Sequence, residues 1–290
     1  MPELPEVETI VLDLRKKVIS RTFIDVWTDF KKIIKKPENF EQFKKEIKGK
    51  KIQRIWRRGK NIIFDLSDGL SLLIHQKLTG HLLFGKWEKK GDIWQAPKGF
   101  LSEKINTYIH LLFTLDNNQM LALSDLRKFA KIELWNKNDL ENSKEFRSLG
   151  PEPLEKNFTF EKFKETLRQA QGRIKQVLMD QTVIAGIGNI YSDEILWETK
   201  IQPFKEIKRL SDEEIKRIYK AMREILKKAI KLRGESISDF RDIEGRRGFF
   251  DKARKVYRRE KEKCSRCGTI IKRIKLAGRS VHLCPKCQKL

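Results

Sequence analysis

No stretch of about 18 apolar residues occurs in the chain, so no helix is expected to cross a bilayer. The start lacks the basic region, apolar centre and small-residue cleavage site of a secretory leader, and a cytoplasmic place of action is expected. Cysteine is scarce. Four in 290 residues are too few for a disulfide scaffold and, in a reducing compartment, better suited to holding a metal. No internal repeat or low-complexity tract is found, which excludes a solenoid. Acidic residues are also short: 40 Asp and Glu against 64 Lys and Arg leave a net charge of +24. Such an excess suits a polyanion, and nucleic acid is the commonest one that a basic protein meets.

What is present begins at the second residue. Pro2 is small, so Met1 is expected to be removed, leaving a secondary amine at the N-terminus. An α-amino group titrates at about 7.7–8.0 against about 10.4 for lysine, so more of it is unprotonated near neutrality. It is then able to add to a sugar aldehyde carbon and form an iminium. Glu3, beside it, is a proton donor or acceptor. Behind them Val7, Ile10, Val11, Leu14 and Val18 make one apolar stripe of a helix over residues 5–18. Pro5 suits its first turn, and Glu3, Glu6 and Glu8 complement the positive end of its dipole.

Short β-rich runs follow at Phe23–Trp27, Lys51–Trp56, Asn61–Leu66, Leu70–His75, Tyr108–Leu115, Met120–Leu123 and Lys131–Trp135. Turn signals such as Ser67-Asp68-Gly69 separate them, and the pattern reads as a two-sheet β-sandwich. Leu149-Gly150-Pro151-Glu152-Pro153-Leu154 breaks it and marks a linker at 150–154. Helical stretches follow at about 160–170, 173–181, 189–199 and 211–232, with a glycine-rich turn at Ala185–Asn189. Ser211 with Glu214 forms a capping box for the last helix. Residues 234–256, rich in glycine and charge, read as a mobile loop.

Cys264 and Cys267, sixteen residues, then Cys284 and Cys287 give the spacing of a tetrahedral zinc site. Four protein ligands leave no open position, so one structural Zn²⁺ is expected. His282 is expected to stay outside the coordination sphere. Residues 251–290 carry fourteen Lys and Arg against three Asp and Glu, a basic prong suited to a phosphate backbone.

Pro2–Thr9, Arg57–Lys60, Leu149–Leu154, Leu178–Gln181, Gly186–Tyr191 and the four-cysteine ribbon occur in one order nearly end to end, and the chain closely resembles the Fpg/Nei family of bifunctional base-excision repair enzymes, on its formamidopyrimidine-DNA glycosylase branch. The resemblance implies an α+β fold: an N-terminal helix and β-sandwich, a helix–two-turn–helix domain and a C-terminal β-hairpin zinc ribbon. The expected divisions are 2–149 for the catalytic sandwich, 150–154 for the linker and 155–233 for the helical domain. A lesion-capping loop follows at 234–256 and the ribbon at 257–290. The implied partner is double-stranded DNA with an oxidised base or abasic site, bound by a monomer that acts at the nucleoid, with no membrane and no catalytic metal.

The same resemblance assigns Pro2 as nucleophile on C1′, Glu3 as general acid/base and Lys60 as proton donor in β-elimination and phosphate contact. It assigns Arg279 as phosphate grip and δ-elimination donor. Asn189 and Lys175 are implied as phosphate contacts. Arg127, Phe129 and Leu78 fill the gap left by the flipped base, Leu78 where the family has methionine. Tyr108 stands for a DNA-contacting histidine. Lys77 replaces a glycine and puts its loop's conformation in question, as does Arg258 in Tyr257-Arg258-Arg259. Gly234, Ser236, Ser238 and Phe249 loosely match the lid over 8-oxoguanine. Two rivals remain: a Nei-like enzyme for oxidised pyrimidines and a non-catalytic zinc-ribbon DNA-binding protein.

Overall fold

The computed structural model describes every residue except Asp92, Ile237, Ser238 and Leu290. It divides into two compact units: Met1–Arg147 with Leu232–Asp251, and Ser148–Lys231 with Lys252–Leu290.

In the first unit α1 (Leu4–Val18) precedes β1 (Phe23–Thr28), β2 (Ile34–Lys36), α2 (Phe40–Ile47), β3 (Ile52–Arg58), β4 (Asn61–Leu66) and β5 (Leu70–His75). Then come β6 (His81–Gly85), β7 (Glu88–Lys90), β8 (Ile93–Gln95), β9 (Ile109–Leu115), β10 (Met120–Ser124), β11 (Lys131–Asn136), α3 (Lys137–Asn142) and α4 (Lys144–Arg147). One sheet runs β1-β9-β10-β6 and the other β2-β11-β5-β4-β3. All pairs are antiparallel except β2 with β11. Strand alternation turns Ile62, Phe64, Leu72 and Ile74 from one sheet, and Phe113, Leu121 and Leu123 from the other, into a shared core. The α1 stripe joins them: Val7, Ile10, Val11, Leu14 and Val18 are all fully buried. Each such side chain contributes on the order of 1.5–3 kcal/mol. The start of the chain is therefore fixed to the sandwich, which is what a catalytic amine at that end requires.

The sequence reading missed β2, β6, the β7–β8 hairpin and α2–α4. The three-residue strands are too short to show alternation. α2 did carry a signal: Phe40, Phe43 and Ile47 lie on one helical face, and the Asn39 side chain accepts from Gln42 N–H at 3.0 Å.

The stretch expected as one mobile loop at 234–256 is divided between the units: through Asp251 it belongs to the first and from Lys252 to the second. Leu232–Asp251 packs with the first unit, and Phe240 and Ile243 enter its core. A Cβ on Gly248 would stand 2.3 Å from the Gly234 carbonyl oxygen. Glycine here permits two backbones to touch; it does not mark slackness. Ser236 Oγ accepts from Gly248 N–H at 2.8 Å, while Ser238 lies outside the described residues.

The second unit holds α5 (Phe160–Gln169), α6 (Ile174–Met179), α7 (Asn189–Glu198), α8 (Asp212–Lys231) and the hairpin β12 (Lys272–Leu276) and β13 (Arg279–Leu283). Ser211 Oγ accepts from Glu214 N–H at 3.2 Å, and Glu214 accepts from Ser211 N–H at 2.9 Å, completing the capping box of α8. The hairpin turns on Ala277 and Gly278, both at positive φ, as a two-residue loop demands.

Candidate active site and nucleic-acid interface

Pro2 and Glu3 are buried at the N-terminus of α1, with Met1 still attached. The Glu6 carboxylate is their anchor. One oxygen accepts the Glu3 N–H and the other the Glu235 N–H, each at 2.8 Å. Burial pulls the Met1 amine below its ordinary value; Glu3, Glu6 and Asp239 oppose that pull and Lys60 adds to it. The groups wanted around a Pro2 amine thus surround the end of the chain.

Lys60 reaches this place through the β3–β4 turn. Gly59 takes φ +57°, a conformation that costs other residues about 1–2 kcal/mol. Arg57 Nε donates to Glu8 on α1 at 2.7 Å, and its NH1 donates to the Gly59 carbonyl at 3.0 Å. One guanidinium therefore fixes the turn to the catalytic helix and leaves Lys60 7 % exposed.

His75 ends β5 opposite Asn61 and Lys131. Burial, then Lys77, Lys60 and Lys131, push its imidazole down to about 3. Its Nδ1 accepts the Lys77 N–H at 2.9 Å, so the neutral ring carries its proton on Nε2. Sequence reasoning took Glu6 and Glu8 only as complements of the helix dipole and Arg57 only as part of a motif, and did not single out His75.

The loops that carry the expected wedge residues are joined in the first unit. Thr79 Oγ1 donates to Asp125 and accepts from Arg127 N–H at 3.1 Å, while Asp125 accepts from Ala130 N–H at 2.8 Å. This staples the Leu78 loop to the Arg127–Phe129 loop. Phe129 is 51 % exposed, with the Arg127 guanidinium 4.9 Å from its ring centroid. Leu78 and Tyr108 are half-buried. Lys77 adopts φ +54° and Arg258 φ +50°, so both loops keep a glycine-like conformation without glycine.

In the second unit Asn189 opens α7 behind a turn held by Gln181. The Gln181 amide donates to the Met179 and Ile187 carbonyls at 2.8 and 2.7 Å and accepts from Gly186 N–H at 2.9 Å. Lys175, expected as a phosphate contact, is buried and paired within the protein. It is 1 % exposed, on a face of α6 shared with Ile174 and Leu178, and its ammonium is bound by buried Asp193. Arg279, by contrast, is exposed at the hairpin tip.

The four cysteine sulfurs lie within 4.8 Å of one another, and sulfurs around a tetrahedral zinc stand about 3.8 Å apart. Hydrogen bonds from Thr269 draw the Cys267 thiol down to about 6, whereas burial and the neighbouring cysteines push Cys287 up to about 12. A divalent cation among them is what would let all four ionise. The cluster fits one structural Zn²⁺. His282 is turned away from it, toward Asp193. Trp197 on α7 donates to Cys264 Sγ at 3.4 Å, and Arg266 stacks 3.9 Å from the Trp197 ring centroid.

Three family descriptions match along the chain. The formamidopyrimidine-DNA glycosylase N-terminal domain matches residues 1–132 and the H2TH domain of that enzyme residues 149–241. A zinc finger found in FPG and IleRS matches residues 261–290. The formamidopyrimidine-DNA glycosylase of Pelotomaculum thermopropionicum is 39 % identical over 290 residues, covering 100 % of both chains. The chain belongs to the formamidopyrimidine-DNA glycosylase family. That makes it a DNA glycosylase of base-excision repair, with the abasic-site lyase activity of its family. Among solved structures, a Lactococcus lactis Fpg complexed with abasic-site DNA is 37 % identical with TM-score 0.86, covering 99 % of this chain and 100 % of the other. A MutM complex with carbocyclic 8-oxo-G DNA is 38 % identical with TM-score 0.86, covering 100 % of each. The helix–two-turn–helix and zinc-ribbon fold follows these relatives, and no helix among the described residues is long and apolar enough to cross a membrane.

Proposed function

We propose that the protein removes oxidised purines, 8-oxoguanine and formamidopyrimidines, from duplex DNA and cleaves the resulting abasic site, acting as a monomer in the cytoplasm. With Met1 removed, the Pro2 nitrogen attacks C1′ of the flipped nucleotide while the bond from C1′ to the base breaks, and the proton shed by that nitrogen neutralises the departing base. The sugar ring then opens at C1′–O4′: the nitrogen lone pair closes the iminium and O4′ takes a proton from Glu3. Loss of a C2′ proton expels the 3′ phosphate, and loss of a C4′ proton expels the 5′ phosphate. Lys60 serves the first elimination and Arg279 the second. Water finally releases the sugar fragment. Arg127, Phe129 and Leu78 fill the vacated stack, and Asn189, Tyr108 and Arg279 hold the strand.

The observation that carries this is the start of α1, where Pro2 and Glu3 are buried and Glu6 holds the Glu3 and Glu235 N–H groups, with the charges of Glu3, Glu6 and Lys60 all acting on the chain's terminal amine. The bound DNAs of the relatives support the substrate: one contains Fapy-dG and another an 8-oxo-G analogue. Matched duplexes carrying 8-oxoguanine opposite cytosine or thymine glycol test the choice of base. Faster release of 8-oxoguanine is expected, and preference for thymine glycol would move the assignment to a Nei-like enzyme. Affinity should fall steeply with salt as phosphate-bound cations return.

A further inference from the structure

Lys175, Asp193 and His282 form a buried chain of charge that no part of the reaction above uses. Asp193, on α7, is fully buried, and Lys175 and His282 are each 1 % exposed. One Asp193 oxygen takes the Lys175 ammonium. The other accepts two bonds from one residue, the backbone N–H and the ring Nδ1 of His282, each at 3.0 Å. Lys175 Nζ also donates to the Ser280 carbonyl at 3.1 Å. The far ring nitrogen of His282 stands 3.6 Å from Glu260, and Tyr257 meets the ring edge-on at 4.9 Å between centroids.

Isolated burial of an ion pair is a poor source of stability, because desolvation offsets most of the attraction. What such a network does well is fix geometry, since each member is costly to leave unpaired. The geometry fixed here is that of β13. Ser280 and His282 are the first and third residues after Arg279, and both are tied to helices through backbone atoms. A two-stranded hairpin is marginally stable alone; Val281 and Leu283 pack its base, while the ties through Ser280 and His282 are those next to the exposed tip bearing Arg279.

We infer that Asp193 and His282 are positioning residues for Arg279, with Lys175 as the buried counter-charge bound to Asp193. The network sets the second elimination, and through it the proportion of fully excised sugar among the products. The inference rests on Arg279 serving that step. A misplacement of about 1 Å costs a positioned group on the order of a hundredfold, so loosening one tie of several should slow δ-elimination by about tenfold.

His282→Phe tests this, because it keeps an aromatic ring beside Tyr257 while removing the ring donor to Asp193 and the ring contact to Glu260. His282→Asn restores a donor near the position of Nδ1. On abasic-site DNA, the expected result is that His282→Phe shifts products from β,δ- toward β-elimination, with zinc content and melting temperature kept, and that His282→Asn largely recovers the δ product. An unchanged product ratio in His282→Phe, or no recovery in His282→Asn, overturns the inference. Arg279→Ala run alongside separates the two levels. If it spares the δ step, the role given to Arg279 is wrong; if it abolishes the step while His282→Phe does not, only the positioning role is wrong.

Discussion

The two chemically equipped regions hold their working groups by opposite means. Around Pro2 the fold uses carboxylates and a guanidinium on backbone groups: Glu6 on two N–H groups, and Arg57 on Glu8 and the Gly59 carbonyl. The result is a buried Glu3 at the start of a helix fixed by its own apolar stripe, and a buried Lys60 on the turn tied to that helix. Around Arg279 the working group is exposed, and rigidity comes from the thiolate cluster and a buried ion network one layer behind. A nucleophile needs a lowered pKa, hence burial. A phosphate-gripping cation needs to stay charged and reachable, hence a rigid support beneath an open tip. Each strategy should fail in its own way.

Metal removal attacks the second region alone and should have the largest effect, since structural zinc sites hold their ion with about 10–16 kcal/mol. Chelation is expected to change the fluorescence of Trp197, whose indole touches Cys264, and to weaken DNA binding. Base excision from saturating DNA should suffer less than affinity. Next comes Arg57→Ala in the first region. Loss of its charged hydrogen bonds should cost about 1.5–3 kcal/mol, seen in urea unfolding, and should slow β-elimination as Lys60 loses its turn. Comparable loss in the δ step alone would blur the distinction between the regions.

A smaller effect separates them by pH. The His75 ring is held down to about 3 by burial and by three lysines, against an ordinary value of about 6.5. Below about pH 6.5 the unfolded chain binds a proton that the folded one refuses until about pH 3, so stability falls as pH drops through that window. His75→Gln should flatten the urea midpoint between about pH 7 and about pH 4. The least effect is expected from Lys77→Gly. Relief of left-handed strain, about 1–2 kcal/mol, is largely offset by glycine's entropy, about 0.5–1 kcal/mol. A gain under about 1 kcal/mol in thermal unfolding, with unchanged base excision, would show that lysine keeps the loop's shape.

Much of this was legible before any coordinates. The α1 stripe, most strands of the sandwich, the α8 capping box and the cysteine pairs each follow from local periodicity or spacing, which is where sequence speaks plainly. The positions that misled are those whose meaning depends on distant partners. Lys175 reads as a solvated or phosphate-facing lysine until Asp193, eighteen residues on, is seen to bury it. The glycines of 234–248 read as slackness because what they admit lies far off in sequence: Glu6 at Gly234, Phe100 and Asn106 at Gly245, and the Gly234 backbone at Gly248. Lys77 and Arg258 read as lost flexibility, yet both side chains accept positive φ. Arg57 and Glu8 lie far apart in sequence and each looks like an ordinary surface charge.

The most direct test of Pro2 as nucleophile is borohydride reduction in the presence of abasic-site DNA, followed by peptide mapping of the covalent adduct. The expected result is one adduct on the N-terminal peptide, at the nitrogen of Pro2, and none in protein that retains Met1. An adduct on Lys60 or another lysine, or undiminished trapping with Met1 in place, would contradict the assignment.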